Sequence, residues 1–219
     1  MIRKALFFFF CCFSVLGQEF AEVDEDILYR EDQFYFGASL VLLQSNLESF
    51  NPRGISRHFQ WGVVRDYPLT KTGQIAAGIG LGMAFERYTT NLFSSENTFA
   101  FTDLNDALKS PLFLSVHSLE LPLSFRWRSS TATDFSFWRI YGGIALQYHY
   151  SKRAKQDSTL IPLADEIQNF GTTAHLSFGY NTWNFYLAYQ FSTIFKGTLD
   201  GGTPFQLNPF KMGLIFYLL

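Results

Sequence analysis

A chain of 219 residues has room for one or two domains, and with no Pro/Ser-rich linker, charge block or internal repeat to divide it, one domain is expected. Aromatic residues make up 19% of the chain and charged residues only 16%, a balance that suits an apolar exterior, while the formal charge of −2 gives nucleic acid no electrostatic footprint. Mean hydropathy is near zero, and past the N-terminus no apolar run of about 18 residues occurs, which argues against transmembrane helices.

The opening MIRKALFFFFCCFSVLGQ places Arg3 and Lys4 before an apolar core from Ala5 to Leu16 and small residues up to Gly17. That order predicts a secretory signal peptide over 1–17, cleaved after Gly17. The alternative, an uncleaved anchor, has a core too short to span, and the Phe run ahead of Cys11 and Cys12 does not match a lipoprotein box. Both cysteines lie in this leader, so the mature chain offers no disulfide, thiol nucleophile or cysteine metal site. Residues 18–32, with Glu19, Glu22, Asp24, Glu25 and Asp26, lack strand periodicity and are expected to form a short periplasmic segment, with a helical turn as the alternative.

From residue 33 the sequence alternates. Residues 33–45 set Phe34, Phe36, Ala38, Leu40 and Leu42 against Tyr35, Gly37 and Ser39, a period of two and hence a strand. After turn chemistry at Asn51, Pro52 and Gly54, residues 55–66 oppose Phe59, Trp61 and Val63 to His58, Gln60 and Gly62. Residues 74–88 have a bulky face (Ile75, Ile79, Leu81, Met83, Phe85) and a bare one (Ala76, Gly78, Gly80, Gly82, Ala84) that ends in Glu86. A narrow barrel has little interior room, so the bare face is expected inside and the bulky one on lipid, whereas a soluble lipocalin-type barrel would bury the bulky face.

The strongest signal is a hairpin over 115–150. Its first strand sets Leu119, Leu121, Leu123, Phe125 and Trp127 against Ser118, Glu120, Pro122, Ser124, Arg126 and Arg128. Its second sets Trp138, Ile140, Ile144, Leu146, Tyr148 and Tyr150 against Arg139, Tyr141, Gly143, Gln147 and His149. Both exceed the length of an ordinary soluble strand and reach the roughly 9 to 11 residues that cross a bilayer at a tilt. A loop from Ser151 to Ile167 follows. Residues 168–181 alternate Phe170, Ala174, Leu176, Phe178 and Tyr180 with Gly171, Thr173, His175, Ser177 and Gly179, and a tight turn at 181–184 leads to Phe185, Leu187, Tyr189 and Phe191. In the last strand Phe210, Met212, Leu214, Phe216 and Leu218 face Ile215, Tyr217 and Leu219, and two such apolar rows leave its lipid face open.

The expectation is an all-β fold, an eight-stranded antiparallel transmembrane β-barrel over 33–219. Connections of about 9, 7, 25, 8, 16, 2 and 12 residues alternate long and short, as extracellular loops and periplasmic turns do. Trp61, Trp127, Trp138 and Trp183 are expected to form a periplasmic aromatic girdle.

Residues LYREDQFYFG (28–37), ELPLSFRWR (120–128), FWRIYGG (137–143), YNTWNFY (180–186) and KMGLIFYLL (211–219) together resemble the PorT-like outer-membrane β-barrel family. The likeness covers essentially the whole mature chain, and the Glu-Leu-Pro-Leu strand followed by the aromatic-Arg strand is its most specific part. It implies a barrel in the outer membrane of a Gram-negative envelope. Named members of the family are accessory components of type IX secretion and gliding machinery, and others are simply porin-family barrels. No catalytic residues come with the resemblance.

Strand parity points Glu86, Glu120, Arg126, Arg128, Arg139, His149 and His175 into the lumen, where charges must be bridged, Glu120 with Arg126 or Arg139 by expectation. The network either plugs the lumen, the preferred reading, or lines a gate. His58, His117, His149 and His175 lack metal-ligand spacing, loop acids such as Asp103, Asp106 and Glu166 read as solvated charge, and no cofactor, metal or catalytic set is expected. Phe93, Phe99, Phe101, Leu104 and Leu108 make the longest loop apolar enough to be an interaction surface. The leading functional expectation is a non-catalytic binding or assembly component, monomeric in outer-membrane lipid and engaging envelope or secretion-system proteins. A small porin or ligand-binding channel comes second and a membrane-embedded enzyme third.

Overall fold

In the computed structural model the chain is described over residues 32–48, 50–52, 54–95, 98–101, 112–129, 137–157, 159–161, 166–195, 198–199 and 203–218, with backbone alone for 93–95, 98–101, 198–199 and 203–204. The expected signal peptide and all of the acidic segment except Asp32 lie outside the described residues.

Eight long strands build the wall: β1 (Asp32–Ser45), β2 (Ser56–Pro68), β3 (Ile75–Thr90), β4 (Leu112–Arg128), β5 (Trp138–Gln156), β6 (Phe170–Tyr180), β7 (Trp183–Gln190) and β8 (Leu207–Leu218). Each pairs antiparallel with its sequence neighbour, and β8 pairs with β1 in the register Phe34 to Leu218 through Ser45 to Leu207, so the sheet closes on itself with no edge. Connections of 10, 21, 13 and 16 residues gather at one end and of 6, 9 and 2 residues at the other. These are the loop end and the turn end.

The alternation of the sequence is the alternation of the wall. On β1, Phe34, Phe36, Leu40 and Leu42 are exposed while Gln33, Tyr35, Ser39 and Val41 are buried. The same inversion runs through Trp61 and Val63, Ile79 and Leu81, Leu119 and Leu121, Ile140 and Ile144, and Phe178 and Phe185, all exposed, while Asp66, Glu86, Arg126 and Lys211 are buried. Such a belt of bare apolar side chains around a polar interior is covered only by lipid, so the barrel is a transmembrane one.

One local feature differs from expectation, and two that the sequence left open or coarse are resolved. The segment after Tyr150 is strand and not loop as far as Gln156, since the upper part of β4 from Phe113 to His117 supplies it with a partner beyond a register shift at His117/Ser118. In β8 the Phe210, Met212, Leu214, Phe216 and Leu218 row faces outward, because Lys211, Ile215 and Tyr217 fill the lumen. The turn between β6 and β7 is Asn181–Thr182 alone, with Asn181 at φ 55°, a left-handed conformation that Asn tolerates in two-residue hairpins.

Candidate functional site

The distinctive site is the lumen, and a row without side chains creates it. On β3, a Cβ added at Gly82 would lie 1.9 Å from the Tyr35 hydroxyl, and one at Gly78 would lie 2.7 Å from both Arg126 Cδ and Ser124 Oγ. Glycine there lets side chains of β1, β2 and β4 reach across an intervening strand.

Asp66 of β2 and Arg126 of β4 meet over that gap. Arg126 Nη1 donates to Asp66 Oδ1, Arg128 Nη1 donates to Asp66 Oδ2 at 2.8 Å, and all three side chains are buried. Arg126 Nη2 also donates to Gln33 Oε1 at 2.5 Å, and its guanidinium lies 3.8 Å from the centre of the Tyr141 ring. Arg128 Nε donates to the Gly73 carbonyl at 2.9 Å, tying the cluster to the turn below it. One carboxylate shared by two arginines, with further acceptors and a ring face, is the arrangement that lets buried charge persist.

A second cluster stands farther towards the loop end. Lys211 of β8 donates to Glu86 Oε1, and Tyr88 donates its hydroxyl to Glu86 Oε2 at 2.5 Å. Between the two clusters Gln147 Nε2 donates to Glu120 Oε1 at 2.6 Å and accepts from Thr173 at 3.0 Å, and Ser118 Oγ lies 2.7 Å from His149 Nδ1. Tyr35, Tyr141, Tyr186 and Tyr217 fill the middle with Val64 and Ile215. A cavity of about 30 Å³ remains there, lined by Tyr35, Gln60, Glu120, Tyr186 and Tyr217 among others, with room for about two water molecules.

Above the second cluster the filling becomes apolar. Inward residues Val41, Tyr88, Leu112, Leu114, Val116, Ala154 and Leu207 pack with Leu92, Ile167, Ile194, Phe195 and Phe205 from the long connections. Two of those connections hold each other there, through the Ile167–Phe195 bridge and a Gln168 amide bond to the Ile194 carbonyl at 2.7 Å.

Of the residues expected in the lumen, Glu86, Glu120, Arg126, Arg128, Arg139 and His149 are buried, and His175 is partly buried beside Tyr186, ring centroids 6.4 Å apart. They do not form one network. Glu120 pairs with Gln147 and with neither arginine: Arg126, six residues along the same strand and so about 20 Å away, is held by Asp66, and Arg139 donates to the Asn181 carbonyl at 3.1 Å in the β6–β7 turn. The sequence reading missed Asp66 and Lys211, although the parity of Asp66 with His58 and Gln60 was a usable signal.

Trp127 and Trp138 flank the β4–β5 turn and Trp183 opens β7, with Trp138 against Tyr180 at 5.6 Å and Trp183 against Phe216 at 4.9 Å. Trp61 is a correction. It sits mid-strand, paired with Phe36 and Met83, because β2 runs on to Pro68, so it belongs to the lipid-facing wall and not to the turn-end girdle. Of the proposed loop surface, Phe93, Phe99 and Phe101 lie on a short hairpin, Leu92–Ser95 with Thr98–Phe101; their side chains, and Leu104 and Leu108 entirely, lie outside the described residues. Among the described residues no group of three or more His, Cys, Asp and Glu is placed to hold a metal ion.

No family model matches the chain, and no curated protein matches it. Solved structures similar to it include Ail, the attachment invasion locus protein of Yersinia pestis, in complex with the heparin analogue sucrose octasulfate, at 11% identity over 86% of this chain and 99% of that one, with a TM-score of 0.35. The outer membrane protein OprG from Pseudomonas aeruginosa is similar at 12% identity over 87% of this chain and 97% of that one, with a TM-score of 0.36.

Proposed function

We propose that the chain is an outer-membrane barrel of the PorT-like type, delivered by its cleaved leader, that conducts no solutes and works through its rims and loops as a non-catalytic binding or assembly component of the envelope. The observation that carries this reading is the filled lumen. The shared carboxylate of Asp66, the Glu86–Lys211 pair and the apolar cluster around Leu112 and Ile167 block the barrel in series. Eight strands leave an interior that side chains fill, whereas aqueous channels open at about 16 strands.

The signal-like leader, the closed sheet and the apolar belt together fit the outer membrane, which houses barrels of this kind. With the termini in the periplasm, the long connections lie outside the cell. The PorT-like motif residues Glu120 to Arg128 and Phe137 to Gly143 make secretion or gliding machinery the first partner class to test, with the loop around Phe99 and Leu104 as the first surface.

Reconstitution in planar bilayers tests the sealed lumen. No steady conductance is expected, and no swelling of liposomes in small sugars. A steady single-channel conductance that is lost on refilling Gly78, Gly80 and Gly82 would overturn the proposal in favour of a small porin.

A further inference from the structure

The outer wall carries cations at both ends and treats them differently. At the turn end, Arg65 of β2 is bridged to Asp32 of β1, with Nη2 to Oδ2 at 2.6 Å and Nε to Oδ1 at 3.1 Å. At the loop end, Arg57, Arg87, Arg153 and Lys155 all point outward and are exposed, and no carboxylate among the described residues bridges any of them.

Those four stand in one row. Arg57 is the register partner of Arg87, Arg87 of Ser115 and Ser115 of Arg153, while Lys155 lies opposite Phe113 one outward position farther on. Like charges directly opposite on neighbouring strands repel, as Arg57 and Arg87 do here, unless an anion lies between them. The row is also concave: Arg87, Phe113, Ser115, His117, Arg153 and Lys155 line a cavity of about 340 Å³. Arg87 is laid 4.6 Å from the centre of the Phe113 ring, which orients its planar fork.

Two residues along the strands towards the turn end, about 7 Å, the wall becomes aromatic: Phe59, Phe85, His117 and Tyr150, with Phe85 to His117 at 5.0 Å and His117 to Tyr150 at 6.1 Å between ring centroids. Next come Trp61, Met83, Leu119 and Tyr148, again facing out. Cations, then rings, then a mixed aromatic and aliphatic face follow the order of chemistries from phosphate headgroups into acyl chains.

We propose that this row binds the phosphate groups of an anionic lipid in the leaflet at the loop end, with the lipid's acyl chains lying on the aromatic and aliphatic wall below. Arginine forks grip phosphate in bidentate fashion, and a phosphate between Arg57 and Arg87 turns their repulsion into a shared bridge. The inference rests on the membrane-barrel reading and goes beyond it.

The test uses the full chain in a zwitterionic detergent, titrated with diphosphorylated lipid A and with its dephosphorylated form, bound lipid being counted by native mass spectrometry. The phosphorylated lipid is expected to bind in preference. Arg87→Gln, Arg153→Gln and Lys155→Gln together should weaken it roughly a hundredfold, on the order of fivefold for each cation removed. Arg153→Gln alone gives the fivefold readout should the triple variant not fold, and Arg65→Gln, at the other end, should leave binding unchanged. Equal binding of the two lipids, no loss in the variants, or displacement by inorganic phosphate at matched concentration would overturn the proposal, the last by showing a free-anion site. Vesicle insertion is scored separately. A barrel that inserts yet ignores lipid phosphate overturns this inference alone, and a chain that never inserts overturns the membrane reading beneath it.

Discussion

The two ends of the lumen are filled by opposite means. At the turn end the described filling comes mainly from the wall: Asp66, Arg126, Arg128 and Gln33 are all strand residues, and among the described residues the connections add the Gly73 and Asn181 carbonyls and the Phe137 ring. At the loop end the wall's inward residues are largely apolar, with Ser56, Thr90, Gln156 and Gln190 among them, and are met by Leu92, Ile167, Ile194, Phe195 and Phe205 from the connections. The difference follows from connection length. Turns of 6, 9 and 2 residues bring one buried apolar side chain, Phe137, among their described residues, so side chains of the wall fill most of that end, whereas connections of 10 to 21 residues bring several apolar groups into the mouth. Where the side chains that cross the lumen are charged, their burial requires that they be paired.

The sharpest break of this contrast is Asp66→Ala. It takes the shared carboxylate from two buried arginines and should destabilise the barrel by about 3–5 kcal/mol, read from urea unfolding in phospholipid vesicles. A change below about 1 kcal/mol would mean that water already solvates that end. At the loop end Leu112→Ala removes apolar packing only, with an expected loss of about 3 kcal/mol that tracks the cavity left behind. Replacing the Glu86–Lys211 pair separates charge from shape. Lys211→Met alone should cost about 3 kcal/mol, and adding Glu86→Leu should recover most of it, since matched apolar groups replace a buried pair at little cost. A double variant as unstable as the single one would show that the pair is required for more than charge balance.

Smaller effects test how the polar half is fitted together. Gly82→Ala forces a Cβ onto the Tyr35 hydroxyl and to 2.8 Å from the Trp61 carbonyl oxygen and should cost about 1–3 kcal/mol as overpacking, with only the Tyr35 part of the loss relieved when Tyr35→Ala is added. Heat-modifiable gel migration of both variants checks that each still closes. Smallest of all, Asp32→Ala breaks an exposed pair with Arg65 and should change stability by less than about 1 kcal/mol, an effect that added salt should erase.

Much of this was legible in the sequence because strand parity is local. A side chain's face is set by its position two residues at a time, so the eight strands, the long and short connections, the bare Gly78–Gly80–Gly82 face and the inward direction of Glu86, Arg126 and Arg128 follow from alternation alone. Where local signals were doubled, reading stopped. β8 had two apolar rows, and only the need to bring Lys211 to Glu86 inside the barrel chose between them. The basic residues after Tyr150 looked like loop charge, and only pairing with Phe113 to His117 of β4 made them wall.

What the tertiary structure alone decided is which charge meets which. Asp66 pairs with Arg126 from two strands away, across β3 at its Gly78 gap, and Glu86 with Lys211 from three strands away, while Glu120 is left to a glutamine although arginines share its strand and the next. Parity says that a side chain enters the lumen. Partner choice depends on the stagger of the strands and on which neighbours are small enough to be crossed, and both are properties of the closed sheet that no single strand carries.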